Sequence, residues 1–235
     1  YDSDIFIKGF TIGQSNNERI LIDNSISHLE DIKFTDELGY IDKDNIRGEF
    51  IYLNNSKDAT MKNIYVENLV LEFASYNDIV EGALFYIDSE SNYYITLENI
   101  CIENNSIDIL GGYPGSNSFT EDIRGGLINT TGSNSINMKQ LKIINNYIGL
   151  SGDWMYGGLV RSTHNTFLDQ SIIAQNVIRY NQEGYNGIYI EGGMFHWHGT
   201  ATLTNNTIVN NTQLVEGYIN WSNCAFSGSI SYHNT

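Results

Sequence analysis

Apolar and polar residues alternate in short bursts along this chain, and each burst follows a glycine. After Gly48, Gly82, Gly126, Gly158, Gly193 and Gly217 the second residue is always apolar: Phe50, Leu84, Ile128, Val160, Phe195 and Ile219. A two-residue period marks a strand with one face turned inward. In this alignment the fourth residue (Tyr52, Tyr86, Thr130, Ser162, Trp197, Trp221) shares the inward parity, and the third forms an outward column of Ile51, Phe85, Asn129, Arg161, His196 and Asn220. The glycines recur at steps of 34, 44, 32, 35 and 24 residues. Irregular steps of this size fit a solenoid whose strands keep register while its loops vary in length. A helical solenoid would need runs of about ten or more residues at a 3.6-residue period, and no convincing one occurs.

A second mark closes each repeat. It reads Ile102-x-x-Asn105-x-Ile107, Ile143-x-x-Asn146-x-Ile148, Ile173-x-x-Asn176-x-Ile178 and Leu203-x-x-Asn206-x-Ile208. Asparagine tolerates the left-handed backbone that a corner requires. Strands stacked about 4.8 Å apart would let the four amides pair up the column as a ladder. Residues 1–47 fit the repeat loosely and read as one or two degenerate coils. The acidic stretch from Asp36 to Arg47 lacks the glycine and distal glutamate of an EF-hand and reads as a solvated loop. Long loops precede three of the glycines: Leu110 to Arg124, which holds the only proline, Leu150 to Tyr156, and Gln182 to Glu191. All three fall at the same point of the repeat, so they line one edge of the molecule, where a solenoid usually places recognition.

Gly125-Gly126-Leu127-Ile128, Gly157-Gly158-Leu159-Val160 and Gly192-Gly193-Met194-Phe195, each followed by the later apolar-x-x-Asn, resemble the GGAI and FxxN repeats of the polymorphic outer-membrane-protein family. The passenger regions of that family are right-handed parallel β-helices like those of the pectate-lyase-like superfamily. The resemblance covers residues 48 to 232, with Ile or Leu in place of the Phe of FxxN. It implies the β-helix fold, surface display and adhesion, and it attaches to a repeat architecture rather than to a chemistry.

Composition agrees with one domain over 1–235: 41% of residues are hydrophobic, Gly occurs 22 times and Pro once. The formal net charge is −16, from 28 acidic and 12 basic side chains. Nucleic acid and anionic membrane surfaces recruit clustered Lys and Arg, so neither is an expected partner. No apolar run approaches the ~18 residues of a membrane span. The chain opens on Tyr1 with no signal-peptide pattern, which reads as a mature or excised piece. Neither terminus carries a polar cap, and solenoid ends expose unpaired edges. The expectation is therefore self-association, or continuation into a larger chain.

Candidate chemistry is sparse. The outward column holds no Asp or Glu, whereas glycoside hydrolysis needs two carboxylates across one sugar. Arg161 is the one candidate base for a lyase, with no acidic pair aligned beside it. His196 and His198 flank Trp197 on one strand, but a zinc site needs a third ligand, and Arg161 would repel the cation. Cys101 and Cys224 lie too far apart in sequence to read as a metal pair, and Cys101 reads as a packed thiol. Catalytic, metal and cofactor sites are accordingly expected to be none. The aromatic residues Tyr113, Trp154, Tyr156 and Tyr185 fall in the variable loops, where exposed rings suit a glycan or protein ligand. Six N-x-S/T sequons, at Asn54, Asn104, Asn129, Asn205, Asn210 and Asn220, would carry glycans only where exposed. The reading is an all-β, right-handed parallel β-helix of about six to seven coils. Its expected role is an extracellular or cell-surface structural or adhesive element without catalysis, and the alternative is a carbohydrate-binding or polysaccharide-degrading β-helix.

Overall fold

A computed structural model describes residues 4–13, 20–36, 38–43, 46–75, 79–89, 93–111, 122–132, 135–152, 154–181 and 189–216. All regular structure among them is strand, and every strand pairing is parallel. The strands stack into four sheets, named A to D. Sheet A begins with Asp4–Gly13 and continues through long strands such as Ile26–Thr35, Ala59–Glu67 and Ile95–Glu103. Sheet B runs from Ile20–Asp23 to Phe195–Trp197, sheet C from Leu38–Lys43 to Thr212–Glu216, and sheet D from Ile46–Arg47 to Tyr189–Glu191. The chain visits B, A, C and D in turn and then returns to B one rung higher, so it is a parallel β-helix.

Five complete turns, spanning residues 20–47, 51–81, 85–124, 128–156 and 160–191, are flanked by Asp4–Gly13 and by the partial turn 195–216. This is fewer than the six or seven coils expected. The glycine spacing counted Gly217, which lies outside the described residues, and the region before Gly48 supplies a single complete turn.

The core is a set of apolar columns running along the axis. Ile32, Ile64 and Ile100 stack in register, as do Phe34, Val66, Ile102, Ile143 and Ile173, all fully buried. Burying one such side chain contributes about 1.5–3 kcal/mol. β-Branched side chains suit these positions because each rung presents the same pleated surface to the next.

Corners are set by left-handed residues. Asp31, Asn63, Asn99, Gln140, Gln170 and Asn205 all have positive φ and bend each sheet A strand in its middle. Asp36, Asn68, Asn104, Asn145, Gln175 and Asn210 do the same between sheets A and C. The corner from D to B uses glycine instead, because two segments approach too closely for any side chain. At Gly157, with φ +67°, a Cβ would lie 2.5 Å from the Val160 carbonyl oxygen and 2.9 Å from the His196 nitrogen.

That corner corrects the register read from sequence. Gly48 and Gly82 align with the first glycines, Gly125, Gly157 and Gly192, not with the second. The outward column of sheet B is therefore Leu21, Tyr52, Tyr86, Asn129, Arg161 and His196, while Ile51 and Phe85 turn inward and are fully buried. Tyr52 and Tyr86 thus lie outside the core. Thr130 and Ser162 do face inward, in register with Leu53 and Ile87. Trp221 and Asn220 lie outside the described residues.

The asparagine ladder exists with one change of member. Asn105 Nδ2 donates to Asn146 Oδ1 at 2.8 Å, Asn146 to Asn176 at 2.9 Å, and Asn176 to Asn211 at 2.8 Å. Asn206 is not in this column. It caps the mid-strand bend of sheet A, with Oδ1 accepting from the Ser171 backbone N–H at 2.9 Å. The left-handed residue is the one before each ladder asparagine, not the ladder asparagine itself.

Candidate functional site

The tight glycine corner presses the last outward residue of each sheet D strand against the next rung of sheet B. Sheet D contributes Arg47, Glu81, Arg124, Tyr156 and Glu191, each immediately before a left-handed glycine. Sheet B contributes Tyr86, Asn129, Arg161 and His196, with Asp88, Thr131, Thr163 and His198 two residues further along the strands. Two outward columns from different sheets thereby merge into one polar and aromatic flank.

Its lower half is a compensated ion network. The Glu81 side chain is almost fully buried; Arg47 Nε lies 2.8 Å from Oε2 and Arg124 Nη1 lies 3.2 Å from Oε1. Arg124 also donates through Nη2 to Asp122 at 2.6 Å. The Arg47 guanidinium sits 5.8 Å from the centre of the Tyr86 ring, a cation–π distance, and Tyr52 packs against the same ring with centroids 5.2 Å apart. Burial pushes the Tyr86 phenol above its usual pKa. Thr131 donates to Asp88 at 2.6 Å.

The upper half holds the titratable bases. His196 is buried and stacks on Tyr156 at 5.4 Å, with its Nε2 3.4 Å from Glu191 Oε1 and with the His198 ring edge-on at 4.4 Å. Burial, and then the neighbouring His198, hold the His196 pKa below the ordinary imidazole value. Burial and Arg161 do the same at His198, so both rings are neutral at pH 7. Arg161 is half-buried and donates through Nη1 to Asn129 Oδ1 at 3.2 Å. Burial, and then Arg124, lower its pKa.

Trp154 and Tyr156 belong to a sheet D strand, not to a loop as expected. They point outward on either side of the inward Met155, and Trp154 is 39% exposed. Tyr113 and Tyr185 lie outside the described residues. Sequence reading missed Arg47, Glu81, Arg124 and Glu191 as a group. Their common place before the left-handed glycine is visible in the sequence once the first glycine of each pair is used for alignment.

The carboxylates of this flank are engaged: Glu81 by two guanidinium groups, Asp122 by Arg124, Asp88 by the Thr131 hydroxyl, and Glu191 beside His196. General acid–base hydrolysis needs one carboxyl free to give a proton and another free to take one. This flank presents flat rings and forked donors on a rigid sheet. Among the described residues no three His, Cys, Asp or Glu side chains gather where they could hold a metal ion.

Cys101 faces outward between Tyr65 and Lys142, yet it is covered to 8% exposure; burial, and then Glu103, push its thiol up to about 11. It is inert as a nucleophile at neutral pH. Of the sequon asparagines, Asn104, Asn205 and Asn210 are exposed, Asn54 is half-buried, Asn129 is fully buried, and Asn220 lies outside the described residues.

Fold and flank define a parallel β-helix with one charged and aromatic side. No family model matches the chain, and no curated protein sequence or solved structure does either.

Proposed function

We propose that this chain is a non-catalytic structural and adhesive β-helix of a cell surface, and that it recognises saccharide through the flank formed by sheets D and B. The observation that carries this reading is the outward row of Trp154, Tyr156, His196 and Arg161, held on backbone that every rung above and below fixes in place. Aromatic faces stack on the apolar faces of sugar rings while guanidinium and imidazole groups meet hydroxyls, and a rigid sheet holds them without an ordering cost. The glycine pairs and the corner asparagines support kinship with surface-displayed β-helix passengers, and with it an extracellular location and glycosylation of the exposed sequons.

A glycan array tests the reading. Wild-type protein is expected to give saccharide signals that fall at least about tenfold in the double variant Trp154→Ala, Tyr156→Ala, in proportion to the roughly 1–3 kcal/mol carried by a buried aromatic contact. An array without signal would sink the adhesive reading. Turnover on a polysaccharide panel, with or without calcium, would replace it with the enzymatic alternative.

A further inference from the structure

We propose that Arg161 is the centre of an oxyanion site on this flank, taking a single carboxylate or sulfate carried by an otherwise neutral saccharide. The proposal rests on the saccharide reading above and adds what the ligand must carry.

The first observation is a charge without a direct ion-pair partner. Three guanidinium groups line the flank, and two of them, Arg47 and Arg124, are neutralised by Glu81 and Asp122. Among the described residues no ion pair or hydrogen bond joins Arg161 to a carboxylate: Glu81, held by Arg47 and Arg124, attracts it only at longer range, and its one hydrogen bond goes to the neutral Asn129 Oδ1. A half-buried cation whose pKa is already lowered by burial and by Arg124 gains most when an anion arrives.

The second observation is unspent hydrogen-bonding capacity on consecutive rungs. Asn129, Arg161 and His196 are stacked neighbours of one column. The Asn129 Nδ2, Arg161 Nε and His196 Nδ1 atoms are all buried and have no partner among the described residues. Buried polar atoms are normally paired, so three orphans in adjacent positions mark a place where a ligand completes the structure. Two of them, on Asn129 and Arg161, are donors suited to an oxyanion. In the neutral His196 ring with Nε2–H directed at Glu191, Nδ1 accepts a hydrogen bond and so matches a sugar hydroxyl.

Net charge decides between one anion and many. The chain carries −16, but charges farther than about 8 Å are largely screened at physiological salt. A lone oxyanion beside Arg161 feels the local cation, whereas a polyanion would extend over the acidic remainder of the surface. Arginine's planar fork matches either a carboxylate or two oxygens of a sulfate.

The experiment compares binding of lactose, lactose bearing one terminal sialic acid, and lactose bearing one sulfate by calorimetry. Wild type is expected to bind at least one acidic form about tenfold or more tightly than lactose, and which form it prefers identifies the oxyanion. The preference should drop below about twofold in Arg161→Gln and persist in part in Arg161→Lys, both checked for wild-type circular dichroism. Equal affinity for acidic and neutral forms, or a preference that survives Arg161→Gln, overturns the site. If no saccharide binds, acetate and sulfate titrations of wild type, read at the Arg161 Nε–H resonance, separate the two ideas. A saturable shift keeps the oxyanion site and discards the saccharide reading, and no shift overturns both.

Discussion

A single asparagine does more in this fold than a corner residue ordinarily does. Asn176 Oδ1 accepts from both the backbone N–H and the Nδ2 of Asn146, while its own Nδ2 donates to the Ile143 carbonyl and to Asn211. The bonds to Asn146 and Ile143 are buried and the one to Asn211 is half-buried, so truncation strands donors and acceptors on the rungs to either side. Leaving a buried polar group unpaired costs about 1–3 kcal/mol. Asn176→Ala is therefore expected to destabilise the chain by about 3–5 kcal/mol in guanidinium unfolding, against about 1 kcal/mol for Asn206→Ala, whose side chain serves one bend and is half-exposed. Equal losses would mean that the ladder adds nothing beyond the ordinary corner hydrogen bonds.

Strands are where sequence and structure can be compared most directly. Period-two alternation was legible because one face of every strand is buried, and the buried Ile, Leu and Val columns follow it rung by rung. Register was not legible, because it depends on which glycine takes the left-handed corner, and turns with a single glycine leave that open; a shift of one residue exchanges the two faces. Hence the glycine alignment alone turns Tyr52 and Tyr86 inward, and the flank they help build emerges only with the corner geometry. The misplaced Asn206 has a related cause. The last sheet A segment bends twice, at Asn205 and Asn210, and Leu203-x-x-Asn206 and Ile208-x-x-Asn211 both satisfy the corner motif. The strand Phe195–Trp197, whose register is the same in both readings, is expected to carry a pH dependence. His196 packs among Tyr156, Arg161, Glu191 and His198, and its pKa is below the ordinary ~6.5. Below that value the unfolded chain takes up a proton that the folded chain resists, so this stability is complete above ~6.5 and is lost as pH falls through it, by at most about 1.4 kcal/mol per pH unit for one proton. Urea midpoints at pH 7.5 and 5.5 should differ more for wild type than for His196→Gln. A difference of the same size in both proteins would place the pH sensitivity elsewhere.

As a whole the molecule is a one-dimensional stack, in which each turn is stabilised by the turn above and the turn below. The Asp4–Gly13 strand pairs only with Ile26–Thr35, and Ile20–Asp23 only with Ile51–Ser56, so one edge of each is unpaired among the described residues. The inward residues of this end, Ile5, Ile7, Ile12 and Ile20, are only partly buried, while Phe6 is 71% and Leu38 82% exposed. Open parallel edges with apolar interiors invite another rung, from a further stretch of chain or from a second copy. Sedimentation velocity tests the second-copy version. Wild type is expected to show a sedimentation coefficient that rises with concentration, and Ile7→Lys, which sets a charge in the open end, should remain monomeric while keeping its circular dichroism. Wild type that stays monomeric across the micromolar range would remove end-to-end stacking of copies.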